Sequence, residues 1–255
     1  MPNKLKITLL QTDPIWHRPT ENIRKIEQQL SETEKTDLIL LPEMFSTGFT
    51  MQPAAVAEPM GGPTHEWMQR LAGTYDCAVS GSLAMEVEGT YRNRLLFVHP
   101  DGRTEHYDKR YLFTPAGESG AYERGTDRLI VEYRGWRICP LICYDLRFPE
   151  WSRNREDYDL LLYLASWPSK RRLHWQTLLT ARAIENQCYS IGVNRVGTDE
   201  NGYDYAGDTM AVDPLGQRLA HREGEEAVME VELSLELVRE TRRRLPFLVD
   251  IQKIF

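Results

Sequence analysis

Apolar runs and amphipathic stretches alternate along the first part of the chain. The run Leu5–Gln11 predicts a strand, and Ile23, Ile26 and Leu30 recur at the spacing of one helix face. The apolar run from Asp37 to Glu43 then predicts a second strand. Strand, helix and strand in this order predict a β-α-β unit.

The next segment predicts another helix, with Thr64 after Pro63 as its N-cap and Trp67, Met68 and Leu71 as its buried stripe. Three strand patterns and a hairpin follow, and strands then alternate with helices again. The further strands are predicted at 77–85, 93–99, 103–109, 129–133, 136–142, 159–165, 189–194, 208–212, 218–221 and 228–233, and the further helices at 149–155, 173–186 and 234–244. This mixture predicts an α/β fold in layers, and without a linker or repeat we expect a single domain over residues 1–255.

Composition narrows the class of protein. The chain has 255 residues, 41% of them hydrophobic, and a formal net charge of −7. The basic runs 170–172 and 242–244 are short and are interpreted as solvated helix faces or ends, so nucleic-acid binding is not expected. The sequence shows neither an export signal nor an apolar run of about 20 residues, so we expect a cytoplasmic protein with reduced thiols and without a membrane span.

Cys143 has the position of a nucleophile. It lies where the apolar run 136–142 meets the polar, helix-like segment Tyr-Asp-Leu-Arg. A helix N-terminus can pull the pKa of a cysteine below its free value of about 8.5. The alternative is another core cysteine, which is how we interpret Cys77, Cys139 and Cys188 in their apolar strand patterns.

Three charged residues are ambiguous when each is taken alone. Glu43 ends a buried strand, where α/β folds often place their sites, and an apolar loop over 44–49 that could wall a pocket follows it. Lys109 ends a strand among charged neighbours, and Glu118 lies in a loop of small residues. The alternatives are an acidic residue that merely marks the exit from a strand for Glu43, a solvated lysine for Lys109 and a loop residue without a function for Glu118.

Taken together with their flanks, these residues carry a specific resemblance. The flanks are Leu-Pro-Glu43, Asp-Lys109-Arg-Tyr-Leu-Phe, Gly-Glu118-Ser-Gly-Ala-Tyr and Ile-Cys143-Tyr-Asp-Leu-Arg-Phe. In this order the sequence resembles the nitrilase superfamily of carbon-nitrogen hydrolases along the whole chain. The Cys-Tyr-Asp-x-Arg-Phe pattern is most similar to the omega-amidase branch.

The resemblance implies a four-layer αββα sandwich and hydrolysis of a small omega-amide of a dicarboxylic keto acid, 2-oxoglutaramate or 2-oxosuccinamate. It implies Cys143 as the nucleophile that forms a thioester and Glu43 as the general base and acid. Lys109 and the backbone N–H of Tyr144 would stabilise the oxyanion, with Glu118 in support. No metal and no organic cofactor are implied.

The distal carboxylate of such a substrate needs a cation, for which an arginine fork is suited. Arg147 and Arg195 are candidates, and a structural ion pair is the alternative for each. The side chains of Phe45, Phe113 and Trp167 could wall the pocket or belong to the core. The family's subunits commonly pair, so a homodimer is expected, to which the apolar tail Leu245–Ile251 could contribute unless it packs on its own subunit.

Other functions remain open from the sequence. The protein could be a nitrilase, a carbamylase or an amidase for another small amide, since the four residues do not separate these activities. A cysteine-histidine hydrolase using His106 or His174 and a binding scaffold without chemistry are more distant alternatives.

Overall fold

The computed structural model describes residues 3–252, so residues 1–2 and 253–255 of the predicted single domain lie outside the described part. Its strands are β1 Lys4–Gln11, β2 Leu38–Leu40, β3 Ala78–Val87, β4 Thr90–Val98, β5 Thr104–Asp108, β6 Val131–Tyr133, β7 Trp136–Ile142, β8 Leu160–Ala165, β9 Tyr189–Asn194, β10 Val196–Thr198, β11 Asp204–Val212, β12 Arg218–Glu223 and β13 Ala227–Ser234. Its α-helices are α1 Pro19–Leu30, α2 Pro63–Tyr75, α3 Glu118–Ala121, α4 Pro149–Ser152, α5 Arg172–Asn186, α6 Leu235–Arg244 and α7 Phe247–Gln252. Short 3-10 helices lie at Pro53–Ala55, Thr114–Ala116, Cys143–Arg147 and Ser169–Arg171.

Two sheets form the centre of the molecule. The first has the strand order β13-β1-β2-β3-β4-β5, and the second has β10-β11-β9-β8-β7-β6, with β12 also paired to β11. Strands β1 to β3 run parallel, as do β7 to β9, whereas the outer pairs are antiparallel. The carboxyl ends of parallel strands meet at one edge of a sheet, which is where α/β folds place their sites.

Helices cover the outer faces of both sheets. Ile7 and Phe97 of the first sheet belong to the same buried cluster as Ile138 and Leu162 of the second, so this cluster fills the space between the sheets. On the outer face of the first sheet, α1 and α2 pack in a second cluster, and α5 packs on β9 and β11. This helix-sheet-sheet-helix order confirms the predicted four-layer αββα sandwich. None of the helices in residues 3–252 is both long and apolar enough to cross a bilayer.

Local details differ from the sequence prediction where a tertiary contact decides the conformation. The predicted strand 37–43 ends at Leu40, because the chain must turn to bring Glu43 inward. Thr64 is not the N-cap of α2, since Gly62 takes that position and the Thr64 amide and hydroxyl bind the Glu58 carboxylate. The three-residue strand β10 and the short helices α3 and α7 were not predicted.

Gly192 allows α5 to lie directly on the second sheet. It sits in β9 beneath the helix, and a Cβ atom there would approach Leu179 to 2.4 Å and Trp175 to 2.5 Å. Both contacted side chains are fully buried, so they have little room to move away. Close contact of α5 with the sheet therefore requires glycine at this position.

We expect Gly192→Ala to lower the free energy of unfolding by about 1–3 kcal/mol because of this overpacking. Gly73→Ala is the matched control, because Gly73 lies in α2 and its added Cβ would meet only the Pro100 carbonyl oxygen, at 3.9 Å. In the control the free energy of unfolding should rise by roughly 0.5–1 kcal/mol, since alanine is a better helix former than glycine. Chemical denaturation measures both, and equal stability of the two variants would contradict this account of the packing.

Candidate active site

Glu43 enters the site from the end of β2. Its carboxylate is fully buried. Oε1 accepts a hydrogen bond from Lys109 Nζ at 2.8 Å, and Oε2 accepts one from the Ser166 backbone N–H at 2.8 Å. Ser166 follows β8 of the second sheet, so this carboxylate connects the two sheets at their carboxyl edges.

Lys109 follows β5, and its backbone N–H donates to the Asn93 carbonyl of β4 at 3.0 Å. The ammonium group is fully buried and donates to both Glu118 oxygens, at 3.0 and 2.8 Å, besides Glu43. Burial by itself would lower the pKa of Lys109, but Glu118 and Glu43 outweigh it, and the net shift is upward. The lysine therefore keeps its charge inside the protein.

Glu118 is the first residue of α3 and follows Gly117, which has a φ of +79°. One of its oxygens also accepts the Phe113 backbone N–H. Its bonds go to Lys109, Phe113 and Asn93. This arrangement suits a residue that orients Lys109.

Cys143 lies on the turn that leaves β7. Its φ of +43° is in the left-handed region that non-glycine residues rarely adopt, and the segment Cys143–Arg147 is a 3-10 helix. Asp145 holds this turn: its carboxylate accepts the Ile142 N–H at 3.0 Å, the Tyr107 hydroxyl at 2.8 Å and the Tyr111 N–H at 2.9 Å. Burial raises the pKa of Asp145 to about 7, although those three donors oppose the shift.

The pKa of Cys143 moves in the opposite direction from the sequence expectation. Burial and the neighbouring Glu43 carboxylate raise it well above its ordinary value, and Lys109 and the Ser166 N–H offset only part of that shift. The helix after Cys143 is a short 3-10 segment, so its terminus has a small dipole compared with an α-helix. The thiol is therefore neutral at rest, beside the Glu43 carboxylate.

A small cavity lies over Cys143 and shares five of its lining residues with a larger one. The inner cavity has a volume of about 20 Å³ and the outer one about 250 Å³. The inner one is lined by Phe49, Phe113, Cys143, Tyr144, Arg147, Ser166, Trp167, Pro168 and Arg171. Side chains of the hairpin 199–205 wall the outer one. Only Cys143 of the four predicted catalytic residues lines either cavity; the other three are fully buried.

Several predicted pocket residues line this space and two do not. Phe113, Arg147 and Trp167 line the inner cavity. Phe45 packs in the core beside Trp67, with ring centroids 5.8 Å apart. This is the core alternative that the sequence left open.

Arg195 likewise lies outside the lining of both cavities. Its guanidinium is buried, pairs with Asp13 at 2.7 Å and stacks 4.5 Å from the Tyr205 ring centroid. The structure thus favours the ion-pair alternative for Arg195.

Sequence reasoning missed four residues of the site. Phe49 lies in the loop that was expected to wall a pocket, and its ring centroid is 5.1 Å from Lys109 Nζ. Arg171 belongs to the run 170–172, which was interpreted as a solvated helix face, yet it lines both cavities. Asn93 and Ser166 contact Glu43 directly, but neither has a local sequence signal, since each contact joins different strands.

Neither histidine of the cysteine-histidine alternative lines the space around Cys143. His106 is an exposed residue of β5. His174 is exposed and lies 3.2 Å from an Arg147 nitrogen. The geometry therefore favours Glu43 as the base.

Within residues 3–252, one group of side chains away from this site has ligand atoms close enough to hold a cation. Atoms of Asp208, His221 and Glu223 lie within 4.8 Å of one another, on the paired strands β11 and β12. Their spacing along the chain resembles no metal motif, so the group could not be predicted from the sequence. The Arg172 guanidinium already pairs with both carboxylates, which makes it an arginine-centred ion-pair network.

Comparison with known proteins is consistent with this geometry. A model of the carbon-nitrogen hydrolase family matches residues 6–243. The chain is 47% identical to the omega-amidase YafV of Yersinia enterocolitica over 98% of this chain and 97% of that one, and 32% identical to the 2-oxoglutaramate amidase of Bacillus subtilis over 98% of each.

Comparison with a solved structure also places the fold in this superfamily. A CN-hydrolase superfamily protein of Xanthomonas campestris, which carries an arsenic adduct in its active site, superposes with a TM-score of 0.95. The two are 42% identical, over 98% of this chain and 97% of that one. The protein described here therefore belongs to the carbon-nitrogen hydrolase family and is an enzyme of the nitrilase superfamily.

Proposed function

We propose that the protein hydrolyses small omega-amides of dicarboxylic keto acids, 2-oxoglutaramate or 2-oxosuccinamate, to the acid and ammonia. The observation that carries this proposal is the buried cluster of Glu43, Lys109 and Glu118 beside the Cys143 thiol, which itself lines a cavity that also presents two arginines. Similarity to an omega-amidase and to a 2-oxoglutaramate amidase supports the substrate class.

In the first half-reaction the Cys143 sulfur attacks the amide carbonyl while Glu43 takes the thiol proton. The tetrahedral intermediate carries its negative charge on oxygen, and Lys109 and the Tyr144 N–H stabilise it. Tyr144 is suited to this because it lies in the first turn of the 3-10 helix, where backbone N–H groups lack partners within the helix. Glu43 then gives the proton to the departing nitrogen, so ammonia leaves and a thioester remains.

In the second half-reaction water attacks the thioester carbonyl, and Glu43 removes a proton from the attacking water. Collapse of the intermediate releases the carboxylic acid, and the proton returns to the Cys143 sulfur. One carboxylate thus acts as base and acid in turn. Glu118 keeps Lys109 in place throughout both halves.

Two cationic side chains favour a substrate with a distal carboxylate. The Arg147 guanidinium lies 4.6 Å from the Trp167 ring centroid, and that of Arg171 lies 5.1 Å from the Phe113 centroid. Neither arginine has an ion pair with a carboxylate of residues 3–252. Burial and the nearby Arg171 lower the pKa of Arg147, as expected for two like charges that face one space.

We propose that the enzyme acts as a homodimer. The exposed face of α5 carries Leu173, with 72% of its surface accessible, and Ile184, and Leu215 lies in the adjoining turn. A second copy would cover these side chains. In the apolar tail, Leu248 is buried on its own subunit, whereas Phe247 and Val249 are exposed and free to contact a second copy.

We also propose a cytoplasmic location, because a free catalytic thiol suits a reducing compartment.

Brief exposure of the wild-type protein to 2-oxoglutaramate should release ammonia and leave an acyl adduct on Cys143, detected by intact-protein mass spectrometry. Glu43→Gln should form no adduct, because nothing then takes the thiol proton, and Cys143→Ala should lose turnover with its thermal stability retained. Cys188→Ala is the control, because it alters a buried cysteine outside the site.

Ammonia release by Cys143→Ala would refute the mechanism. Turnover of nitriles or carbamoyl compounds, without turnover of omega-amides, would instead assign the enzyme to another branch of the superfamily.

Replacing Arg147 or Arg171 by Gln should raise KM for 2-oxoglutaramate by about ten- to a hundredfold, the usual effect of losing a hydrogen bond to a charged group. A small primary amide without a carboxylate, such as butyramide, should show unchanged KM in both variants. Arg195→Gln should leave KM for 2-oxoglutaramate unchanged, since Asp13 holds that side chain. Unchanged KM in the Arg147 and Arg171 variants would place carboxylate recognition elsewhere.

Light scattering after gel filtration should give twice the chain mass for the wild type. The double substitution Leu173→Glu and Ile184→Glu should give the single-chain mass, because it places charges on the proposed interface. Met60→Glu, at an exposed apolar residue on another face, is the control and should remain dimeric. A monomeric wild type would rule out the homodimer.

A further inference from the structure

Asn93 is a fully buried polar residue between the two glutamates of the site. It lies in β4, and its amide nitrogen Nδ2 donates to Glu43 Oε1 at 2.8 Å and to Glu118 Oε1 at 3.0 Å. Its backbone carbonyl also accepts the Lys109 N–H. One residue thus binds both carboxylates of the site and the backbone of the lysine that carries the ammonium, without lining either cavity.

The orientation of the Asn93 amide is fixed by a chain of hydrogen bonds that can run in only one direction. The Met44 backbone N–H can only donate, and it donates to the Ser82 hydroxyl oxygen at 3.0 Å. The hydroxyl hydrogen of Ser82 is then free to point to Asn93 Oδ1, also at 3.0 Å. The oxygen end of the amide therefore faces Ser82, and the NH₂ end faces the carboxylates.

This chain begins at a constrained point of the backbone. Met44 follows Glu43 directly and has a φ of +46°, which is unusual for a residue with a side chain. The hydrogen bond from its backbone N–H to the Ser82 hydroxyl fixes the turn that directs Glu43 inward. The same hydroxyl therefore orients both the backbone next to Glu43 and the amide that binds its carboxylate.

A donor between two carboxylates has an electrostatic consequence. Two buried carboxylates repel each other, and Lys109 supplies only one positive charge for both. Each N–H of Asn93 gives one carboxylate a further donor without adding charge. The carboxylates can then lie at hydrogen-bond distance from the same ammonium while Glu43 stays beside the Cys143 thiol.

We infer that Asn93, oriented by Ser82, is a positioning residue that holds Glu43 and Glu118 around Lys109 in the geometry the hydrolysis requires. This inference rests on the proposed function for its kinetic consequence. The residue does not line the cavity, so its loss should affect the chemical step and leave substrate binding in place.

The test compares Asn93→Ala, Asn93→Asp and Ser82→Ala in kcat and KM for 2-oxoglutaramate at neutral pH. Asn93→Ala should lower kcat roughly a hundredfold, as misplacement of a reacting group does, with KM nearly unchanged. Asn93→Asp keeps the shape but offers a third carboxylate instead of two donors, so its kcat should be as low or lower. Ser82→Ala should give a smaller loss in the same direction.

A residue that only fills space would give the opposite order, because the isosteric Asn93→Asp would then stay closer to the wild type than Asn93→Ala. That order, or a wild-type kcat in Ser82→Ala, overturns the inference. Ser82→Ala keeps the test valid if both Asn93 variants fail to fold. Asn154→Ala is the control, because it removes another fully buried, hydrogen-bonded amide outside the cavities, and it should lower thermal stability without changing kcat.

A second measurement separates this inference from the proposed function. Alkylation of Cys143 by iodoacetamide, followed by intact-protein mass spectrometry, needs no physiological substrate. Asn93→Asp should slow alkylation relative to the wild type, because an added negative charge disfavours the thiolate. If the wild type hydrolyses no omega-amide but this difference is seen, the proposed substrate is wrong and the role of Asn93 stands; equal alkylation rates in a folded variant overturn that role.

Discussion

The site depends on one buried ammonium group shared by two buried carboxylates. Removing an ion from water costs several kcal/mol even after relaxation, so Lys109 can be buried only where Glu43 and Glu118 contact it directly. The reverse also holds, because each glutamate needs the lysine and the donors around it. None of these groups is stable in its position alone. Because they come from three different segments of the chain, the fold must bring all three together at once.

The two-sheet architecture provides that convergence. Glu43 follows β2 and Lys109 follows β5 of the first sheet, whereas Cys143 follows β7 and Ser166 follows β8 of the second. The Ser166 N–H on Glu43 and the Asp145 carboxylate on Tyr107 and Tyr111 are bonds between those sheets. The distance between nucleophile and base is therefore set by sheet packing, and an active site at this edge does not need a flexible loop to assemble it.

Regular elements were largely predictable from the sequence because their patterns are local. The strands Trp136–Ile142 and Tyr189–Asn194 were predicted at the bounds they have, and α5 begins one residue before its predicted start. The four candidate catalytic residues were identified through their flanking motifs, because a single position such as Lys109 has no signal of its own, and the structure brings them together.

What the sequence did not reveal depends on partners that are distant along the chain. Neither Arg171 nor Arg195 has a local sequence signal that shows its partner, and Asp13, which follows the first strand, decides that Arg195 forms an ion pair. Asn93 has no motif because its importance comes from Ser82 on a neighbouring strand and from two glutamates on other segments. The pKa of Cys143 was predicted in the wrong direction for a related reason: the dipole of the following helix is local, whereas burial, the largest cause of the shift, and the Glu43 carboxylate, 100 residues away in the sequence, both depend on the fold.

That carboxylate determines how the thiol can react. With two carboxylates and one ammonium the site holds one net negative charge, and a resting thiolate would add a second in a buried space. A cysteine-histidine pair avoids the problem because the histidine becomes positive, but in the proposed mechanism the proton moves to Glu43, and the total charge does not change. When Glu43 becomes neutral it holds Lys109 less strongly, and an N–H of the ammonium is released at the moment when negative charge develops on the substrate oxygen. Under the proposed mechanism a raised pKa of the thiol is thus no obstacle, because proton transfer and oxyanion stabilisation are linked through the same lysine.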